Sequence, residues 1–304
     1  MSVGQGIIAP LLTPFLESGD VDEAGLTHIT ERIASAGLEG VFPLGTTGES
    51  ARLSEDEKRQ VLSAAAASKG DCLMYVGISG EGTKKVLTQM DTAMAFQPDA
   101  FVCTLPYYFQ ALTPEEQLHF FLEILDASPV PVLLYNMPGN VGCAILPETV
   151  AALARHPAFG GMKDSSGDTR YFETLLSLGQ THGFPVLQGV EFQAAWSLRH
   201  GAAGLVPSMA NLFPRVFAAL RDAALHAEWG KLEDDQRLLD AVNSVHKKMQ
   251  GKMAAIVCRK ELLRMMGLAG NAVSHPHVSL PEPLRLELEA ASEPLRLLEA
   301  SLAR

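Results

Sequence analysis

The sequence is short of positive charge. Only 24 of its 304 residues are lysine or arginine, against 35 aspartates and glutamates, which gives a net charge of −11 at pH 7 and a pI near 5.3. Nucleic acids and anionic membrane surfaces attract proteins through basic patches that release counterions. This charge balance therefore excludes nucleic acid and membrane as expected partners and leaves small molecules and other copies of the chain.

Cysteine pairs and metal-binding motifs are also missing. The four cysteines contain no CxxC pair, and the nine histidines show no HExxH pattern. Cysteines without a pattern indicate buried thiols in a reducing compartment, rather than a disulfide framework or a zinc site. We therefore expect no metal and no organic cofactor.

No long apolar run or targeting pattern is present either. The longest apolar stretches fall well short of the roughly 18 to 20 residues that cross a bilayer. The first residues lack a basic segment that leads into an apolar one. Hydrophobic residues make up 47% of the chain and charged residues 19%, which is ample for a large core. We expect a globular, cytoplasmic protein.

What the sequence does contain is a repeated alternation of short apolar runs with helical segments, which predicts parallel βα units. Eight such runs predict an α/β fold of the (β/α)8 or TIM barrel type. An open doubly wound sheet is the main alternative, but it usually has fewer strands and often a GxGxxG turn, which is not found here. The predicted strands span 6–12, 40–44, 72–78, 100–105, 130–135, 159–162, 185–187 and 203–206.

Beyond residue 208 the pattern changes to helices alone. Helices are predicted over 214–228, 231–250, 253–266 and 283–303. The first of these is expected to close the barrel as its eighth helix. We therefore assign residues 1–228 to a catalytic barrel and residues 229–304 to a C-terminal helical extension packed on it.

One lysine stands at the end of a predicted strand. Lys163 ends the sixth apolar run and precedes a polar, glycine-flanked turn, whereas the other nine lysines, Lys260 among them, fall in or beside helical segments, where lysine is usually solvated. Active sites of TIM barrels occupy the carboxyl ends of the strands. A lysine buried there has a lowered pKa, which makes its neutral, nucleophilic amine accessible near pH 7.

Polar and aromatic residues stand at the ends of the other runs. Tyr107 and Tyr108 follow the fourth run, and Tyr135 ends the fifth. A phenol beside an amine in a dry pocket indicates imine chemistry, in which the lysine attacks a ketone and the tyrosine moves protons. Thr46 and Thr47, between two glycines after the second run, form a turn suited to an anion such as a carboxylate.

Four motifs stand at these strand ends in a specific order. They are Gly45-Thr46-Thr47-Gly48-Glu49, Pro106-Tyr107-Tyr108, Tyr135-Asn136-Met137-Pro138 and Gly161-Met162-Lys163-Asp164. In sequence and in position they resemble the dihydrodipicolinate synthase and N-acetylneuraminate lyase family of pyruvate-dependent class I aldolases. The resemblance extends over nearly the whole chain, including the helical tail.

The resemblance implies catalytic roles for the matching residues. Lys163 would form a Schiff base with C2 of pyruvate or another 2-keto acid, without a separate cofactor. Tyr135 would act as general acid and base, linked by hydrogen bonds to Thr46 and to Tyr108, which the family supplies to the neighbouring subunit's site.

The same resemblance implies how the keto acid binds and how the chain assembles. Thr46 and Thr47, with the adjoining Gly48, would hold the pyruvate carboxylate through hydroxyl and N–H groups. A tyrosine shared between subunits implies a homodimer or a homotetramer of two dimers.

Asn140 departs from the family pattern. The synthase branch carries an arginine here, which binds the carboxylate of aspartate semialdehyde, and a neutral amide forfeits that bidentate, charge-assisted bond. Members that cleave or dehydrate hydroxylated 2-keto acids do without this arginine. Asn140, Glu191 and Ser208 are therefore expected to bind substrate hydroxyls, with Gly189 beside them at the seventh strand.

The sequence thus favours a Schiff-base-forming lyase, an aldolase or dehydratase, that acts on pyruvate and a hydroxylated 2-keto acid. A 2-keto-3-deoxy sugar acid and 4-hydroxy-2-oxoglutarate are examples of such substrates. The alternative is 4-hydroxy-tetrahydrodipicolinate synthase, also called dihydrodipicolinate synthase, which condenses pyruvate with aspartate semialdehyde. A remote alternative is a barrel that binds a keto acid without catalysis.

Overall fold

Strands form where apolar and β-branched residues follow one another, as expected of parallel strands that are buried on both faces. The computed structural model describes residues 2–109, 113–276 and 279–303. Within these residues the strands are β1 (Gly6–Pro10), β2 (Gly40–Phe42), β3 (Leu73–Gly77), β4 (Ala100–Thr104), β5 (Val132–Asn136), β6 (Phe159–Asp164), β7 (Val186–Gln188) and β8 (Gly204–Leu205). They form a closed barrel in chain order, which confirms the predicted TIM barrel.

Helices alternate with the strands up to β8 and then continue without strands in the described part of the chain. They are α1 (Glu23–Ser35), α2 (Glu55–Ser68), α3 (Thr83–Met94), α4 (Pro114–Ala127), α5 (Pro138–Val141), α6 (Pro147–Leu153), α7 (Thr169–His182), α8 (Ala194–Arg199), α9 (Pro214–Leu225), α10 (Trp229–His246), α11 (Ala254–Met265) and α12 (Glu282–Ser301). The predicted run of helices after residue 208 is confirmed.

Contacts within the chain divide it into two compact units. We call Met1–Gly6 with Leu73–Val206 the lysine unit, because it holds Lys163. Ile7–Cys72 with Pro207–Arg304 is the threonine unit, because it holds Thr46 and Thr47. The boundary between the barrel and the helical extension, at residues 228 and 229, is based on where the alternation of strands and helices ends. It stays a prediction.

Two helix starts follow directly from local sequence. Ser54 Oγ accepts a hydrogen bond from Glu57 N at 3.3 Å, and Glu57 Oε2 accepts one from Ser54 N at 2.7 Å. Thr113 and Glu116 form the same capping box at 3.2 and 2.7 Å. Each box satisfies N–H groups that the first helical turn leaves without partners. These bonds fix where α2 and α4 begin.

The first two strands are shorter than the apolar runs that predict them. β1 ends at Pro10 because Leu12 N donates to the side chain of Asn211 at 3.0 Å. β2 ends at Phe42 because Leu44 has a φ of 59°, a left-handed conformation that is incompatible with a strand. The chain therefore turns earlier than the apolar pattern indicates.

The last helix of the chain is joined to α9 by one carboxylate. Glu299 of α12 accepts hydrogen bonds from Val216 N at 3.0 Å and from Arg215 N at 3.3 Å. Both N–H groups belong to the first turn of α9, which has no side-chain cap of its own. A carboxylate at this position also interacts favourably with the helix dipole. The helical extension thus contributes to the stability of α9.

Candidate active site

Lys163 lies near the carboxyl end of β6, opposite Tyr135 of β5. The two residues are partners in the register of these parallel strands. Both are buried, with exposures of 5% and 4%, and Lys163 Nζ lies 3.7 Å from the centroid of the Tyr135 ring. The structure therefore brings together the amine and the phenol that the sequence indicates.

A bulge in β6 sets this pairing. Val132 of β5 pairs with Phe159, but the next residue, Leu133, pairs with Gly161, so that β6 has one extra residue. An extra residue transfers all later side chains to the opposite face of the strand. Gly161 has a φ of 122°, and a Cβ there would lie 2.5 Å from the Pro185 carbonyl oxygen. The glycine is therefore needed to place Lys163.

Burial lowers the pKa of Lys163 from its ordinary value of 10.5, because the ammonium form loses its hydration. The Tyr135 hydroxyl acts in the opposite direction, since its hydrogen bond favours the charged amine. Desolvation is the larger of the two effects. The neutral amine is therefore more available than it would be on an exposed lysine.

The rate of imine formation is expected to follow the titration of Lys163. Only the neutral amine attacks a carbonyl, so the rate should rise with pH and level off below pH 10.5. Cyanoborohydride trapping of the pyruvate adduct across a pH series measures this rate. Nα-acetyl-lysine, whose side-chain amine is free and solvated, is the matched control. If the trapping rates of the protein and of this control rise over the same pH range, the amine of Lys163 is not desolvated.

Gly189 follows β7 and packs against the lysine where no side chain fits. A Cβ at this position would lie 2.1 Å from Ser165 Oγ, 3.0 Å from Asp164 O and 3.1 Å from Lys163 Cε. The Gly189 N–H donates to Asp164 O at 2.7 Å. Gly189, predicted to bind substrate, therefore lies against the stem of the reactive amine.

Replacement of Gly189 by alanine is expected to impair both activity and stability. The new methyl group must displace Ser165 and press on Lys163, and overpacking of this kind costs about 1–3 kcal/mol. Gly139→Ala is the matched control, because a Cβ at Gly139 meets nothing within 4 Å. We expect kcat/KM to fall about tenfold or more for Gly189→Ala only. Equal kinetics and equal melting temperatures for the two variants would show that the close contact has no role.

Ser165 is a site residue that the sequence analysis missed. Its Oγ is buried and has no hydrogen-bond partner among the described residues. Buried hydroxyl groups normally have a partner, and a substrate oxygen beside Lys163 would provide one. The Ser165-Ser166 pair directly after the lysine motif is the signal that could have found it.

Asp164, beside Lys163 in the chain, joins the ends of β5 and β6. Its carboxylate accepts hydrogen bonds from Asn136 Nδ2 at 2.7 Å and from Ser166 Oγ at 2.9 Å. Burial raises the pKa of Asp164, and these hydrogen bonds partly offset the rise. Asn136 in turn accepts a bond from Ile145 N at 3.0 Å. The network holds the two strand ends that carry the tyrosine and the lysine.

Thr46 and Thr47 lie in a tight turn after β2, in the threonine unit. Gly48 N donates to Gly45 O, and Glu49 N donates to Thr46 O, both at 3.1 Å. Both threonine side chains are half-buried. The turn is therefore closed by its own backbone and leaves the two hydroxyl groups partly accessible.

Gly48 fixes this turn against the segment that follows β1. Thr13 Oγ1 donates to Gly48 O at 2.8 Å. A Cβ on Gly48 would lie 2.9 Å from Leu11 O and 3.2 Å from Thr13 Oγ1. Glycine is therefore needed here for packing, and its predicted part in carboxylate binding stays a prediction.

The residues predicted to bind the second substrate lie in different surroundings. Asn140 is exposed on the short helix α5, whereas Glu191 is 8% exposed in a 3-10 turn after β7. Ser208 Oγ accepts a hydrogen bond at 3.1 Å from Nε of Arg259, a buried residue that the sequence did not connect with it. The substrate-binding roles of all three stay predictions.

Tyr108 lies on the surface and not in the buried Lys163–Tyr135 pair. Tyr108 and Phe109 are 74% and 75% exposed, and their rings meet edge to face with centroids 5.2 Å apart. Burial and the neighbouring Glu81 raise the pKa of Tyr107 to about 12. Exposed aromatic groups often mark a contact surface, and the role of Tyr108 in a neighbouring copy stays a prediction.

Residues 2–109, 113–276 and 279–303 contain no cluster of three or more His, Cys, Asp or Glu side chains arranged to hold a metal ion. Within the same ranges, no helix is both long enough and apolar enough to cross a membrane. Cys72, Cys103 and Cys258 are buried free thiols.

A TIM barrel with a buried lysine beside a tyrosine at adjacent strand ends is suited to an enzyme that works through a lysine Schiff base with a carbonyl substrate. Comparisons with known proteins agree. The chain matches the dihydrodipicolinate synthetase family over residues 4–294.

Named relatives and solved structures support the match. The 4-hydroxy-tetrahydrodipicolinate synthase of Xanthomonas axonopodis pv. citri is 36% identical over 72% of each chain. That of Flavobacterium psychrophilum is 30% identical over 96% of this chain and 98% of the relative. The structure of dihydrodipicolinate synthase from Bacteroides thetaiotaomicron superposes with a TM-score of 0.90 at 29% identity and covers 97% of this chain and all of that one, at 100%.

The chain belongs to the dihydrodipicolinate synthetase family and is a lyase of the class I aldolase type. The predicted family and enzyme class are thus confirmed. For the exact reaction, the relatives' names support the alternative, 4-hydroxy-tetrahydrodipicolinate synthase, better than the favoured lyase of hydroxylated 2-keto acids.

Proposed function

We propose that the protein condenses pyruvate with an aldehyde through a Schiff base on Lys163. The observation that carries this proposal is a buried amine, with a lowered pKa, stacked over the ring of a buried tyrosine. The neutral amine adds to C2 of pyruvate, and loss of water from the adduct gives the imine. Removal of a proton from C3 then gives an enamine, whose C3 attacks the aldehyde carbon.

Tyr135 is the proposed proton carrier in these steps. Its 4% exposure keeps bulk water from taking over the transfer, and its position over Lys163 places the hydroxyl near the atoms that gain and lose protons. A positioned acid or base of this kind contributes about 10²- to 10⁴-fold to a rate. No external cofactor is needed, because the imine itself withdraws electrons from C3.

Thr46 and Thr47 are the proposed ligands of the pyruvate carboxylate, with Gly48 shaping their turn. Support comes from the family motif and from a backbone that leaves both hydroxyl groups half-buried. Tyr108 is proposed to complete the proton path of a neighbouring copy, supported by its 74% exposure. Self-association as a dimer or as a tetramer of two dimers follows from this shared tyrosine.

For the second substrate, our first candidate is aspartate semialdehyde, which makes the protein a 4-hydroxy-tetrahydrodipicolinate synthase. Relatives of that name, at 30–36% identity, are the support for this candidate. The second candidate is an aldolase or dehydratase of a hydroxylated 2-keto acid. Asn140 favours the second candidate, because this exposed amide provides no positive charge for the semialdehyde carboxylate. Ser165 Oγ also favours it, since this buried hydroxyl near Lys163 is available to bind a substrate hydroxyl.

A substrate panel separates the two candidates. A synthase consumes pyruvate and aspartate semialdehyde together, whereas an aldolase releases pyruvate from 2-keto-3-deoxy sugar acids or from 4-hydroxy-2-oxoglutarate. A dehydratase releases no pyruvate and converts a hydroxylated 2-keto acid to its dehydrated product. The reaction whose substrates give the higher kcat/KM is the function of the protein.

Asn140→Arg sharpens this comparison. A bidentate bond between charged groups contributes about 1.5–3 kcal/mol, so the first candidate predicts at least about tenfold higher kcat/KM with aspartate semialdehyde. Asn140→Lys is the matched control, since it adds the charge without the planar fork and should gain less. If neither variant gains condensation while the wild type turns over hydroxylated 2-keto acids, the second candidate replaces the first.

A further inference from the structure

Glu49 ends the Thr46–Thr47 turn with an unusual backbone conformation. It has a φ of 57° and a ψ of 26°, which is left-handed backbone for a residue that is not glycine. Its N–H closes the turn by donating to Thr46 O at 3.1 Å, and its side chain is 0% exposed. Backbone of this kind persists only where the surroundings hold it.

Lys260 of α11 holds the Glu49 carboxylate. Its Nζ lies 2.5 Å from Glu49 Oε1, donates to Ala272 O at 2.8 Å and lies 4.0 Å from the centroid of the Phe15 ring. Lys260 is 0% exposed, so the expectation that lysines on helices are solvated is wrong for this residue. Residues 256–263 of α11 are all buried, so the helix is covered on every side and its lysine lies in the interior.

The second oxygen of Glu49 is held by a different segment. Oε2 accepts hydrogen bonds from Ser274 N at 2.9 Å and from Ser274 Oγ. Glu49 is thus fixed by one helix and one loop, both from the part of the chain after residue 229. Lys260 and Ser274 are the two supports of the carboxylate.

The charge balance of the Glu49–Lys260 pair matters because the adjoining Thr46–Thr47 turn is proposed to bind a carboxylate. An uncompensated carboxylate three residues from Thr46 would repel the carboxylate of pyruvate, and repulsion is strong where water is excluded. Burial also lowers the pKa of Lys260 to about 8, with Glu49 acting against the shift. Loss of one partner of a buried ion pair leaves an uncompensated charge, whereas neutral replacement of both is often tolerated.

We propose that Lys260 is a positioning residue for the keto-acid carboxylate, which neutralises Glu49 and holds the Thr46–Thr47 turn in its binding conformation. This proposal rests on the proposed function of that turn. It assigns to the C-terminal helical region a direct part in substrate affinity, in addition to its part in stability.

The test compares Lys260→Met with the double variant Glu49→Gln/Lys260→Met. We expect Lys260→Met to raise KM for pyruvate about tenfold or more, while kcat changes less than about threefold, because binding of the carboxylate is lost and Lys163 is untouched. The amide oxygen that the double variant carries in place of the carboxylate still accepts hydrogen bonds from Ser274, and the amide needs no counter-charge. The double variant should therefore return KM to within about threefold of wild type.

Lys248→Met is the control, since it removes an exposed lysine of the same region that pairs with Glu287. A lower melting temperature for Lys260→Met with an unchanged KM would overturn the proposal and leave Lys260 a purely structural residue. If Lys260→Met does not fold, Ser274→Ala removes the hydroxyl that donates to Glu49, together with a long bond of 3.4 Å that this hydroxyl accepts from Arg52. A KM that rises by about twofold or more supports the proposal, and an unchanged KM overturns it.

Failure of the proposed function gives a different result. In that case the wild-type protein forms no borohydride-stable adduct with pyruvate, whatever the state of Lys260. If Lys163 forms the Schiff base but Lys260 has no part in pyruvate binding, the wild type and Lys260→Met form the adduct to the same extent at the same pyruvate concentration.

Discussion

Replacement of Lys163 by alanine is expected to abolish turnover, with a loss of about 10⁴-fold or more in kcat/KM. The reason is that Lys163 is the group proposed to form the covalent bond to C2 of the keto acid, and binding alone retains only a small part of the catalysis. The fold should persist, because the substitution removes a charge that is costly to bury at this site. Pyruvate consumption and circular dichroism measure the two effects.

Lys85→Ala is the matched control for the loss of a lysine. Lys85 is an exposed residue of α3 in the same unit, where it pairs with Glu81 at 3.0 Å. Lys85→Ala should retain wild-type kinetics, because Lys85 has no proposed part in the reaction. The variant should also stay folded, because an exposed ion pair contributes at most about 1 kcal/mol to stability. Turnover of Lys163→Ala at a rate close to that of Lys85→Ala would exclude a covalent role for Lys163.

Removal of the Tyr135 hydroxyl is expected to have the second largest effect. Tyr135→Phe keeps the buried ring against Lys163 and removes only the group that moves protons, so kcat should fall about 10²- to 10⁴-fold. The melting temperature should change little. The adduct on Lys163 should still form, but more slowly, because the amine remains in place while loss of water from the adduct is no longer assisted.

Tyr171→Phe controls for the loss of a hydrogen-bonded phenol, although Tyr171 is half-buried. Its hydroxyl donates to Ile145 O at 2.6 Å in the same unit, outside the proposed proton path. This variant should lose about 1 kcal/mol of stability and keep its kcat. If the two phenylalanine variants lose kcat to the same degree, Tyr135 has no special part in proton transfer.

The central pair of the site could be predicted from the sequence because it depends on local signals. Lys163 and Tyr135 each stand at the end of an apolar run, and adjacent parallel strands bring such positions together. Capping boxes at Ser54 and Thr113 depend on residues only three positions apart. Their helices therefore begin where the sequence places them.

Other parts of the site depend on contacts that no local pattern encodes. The extra residue in β6 is defined only by its pairing with β5, yet it decides the direction of Lys163. Ser208 and Arg259 are 51 residues apart. Lys260 lies on a helix whose residues 256–263 are all buried, which its polar residues do not indicate, and it pairs with Glu49 instead of being solvated.

Asn140 remains the residue on which family membership and local chemistry differ. The synthase branch is expected to carry at this position a group that binds the carboxylate of a second substrate, whereas the short helix α5 presents an amide. The Asn140→Arg comparison therefore bears on the substrate, whereas variants of Lys163 and Tyr135 bear on the reaction type. The two questions can be answered independently.

The central claim is that Lys163 forms a Schiff base with a keto acid. Borohydride reduction of the wild-type protein in the presence of pyruvate, followed by peptide mapping, tests it most directly. We expect a single modified residue, Lys163, and no modification of Lys163→Ala. Absence of an adduct, or an adduct on another lysine such as Lys260, would contradict it.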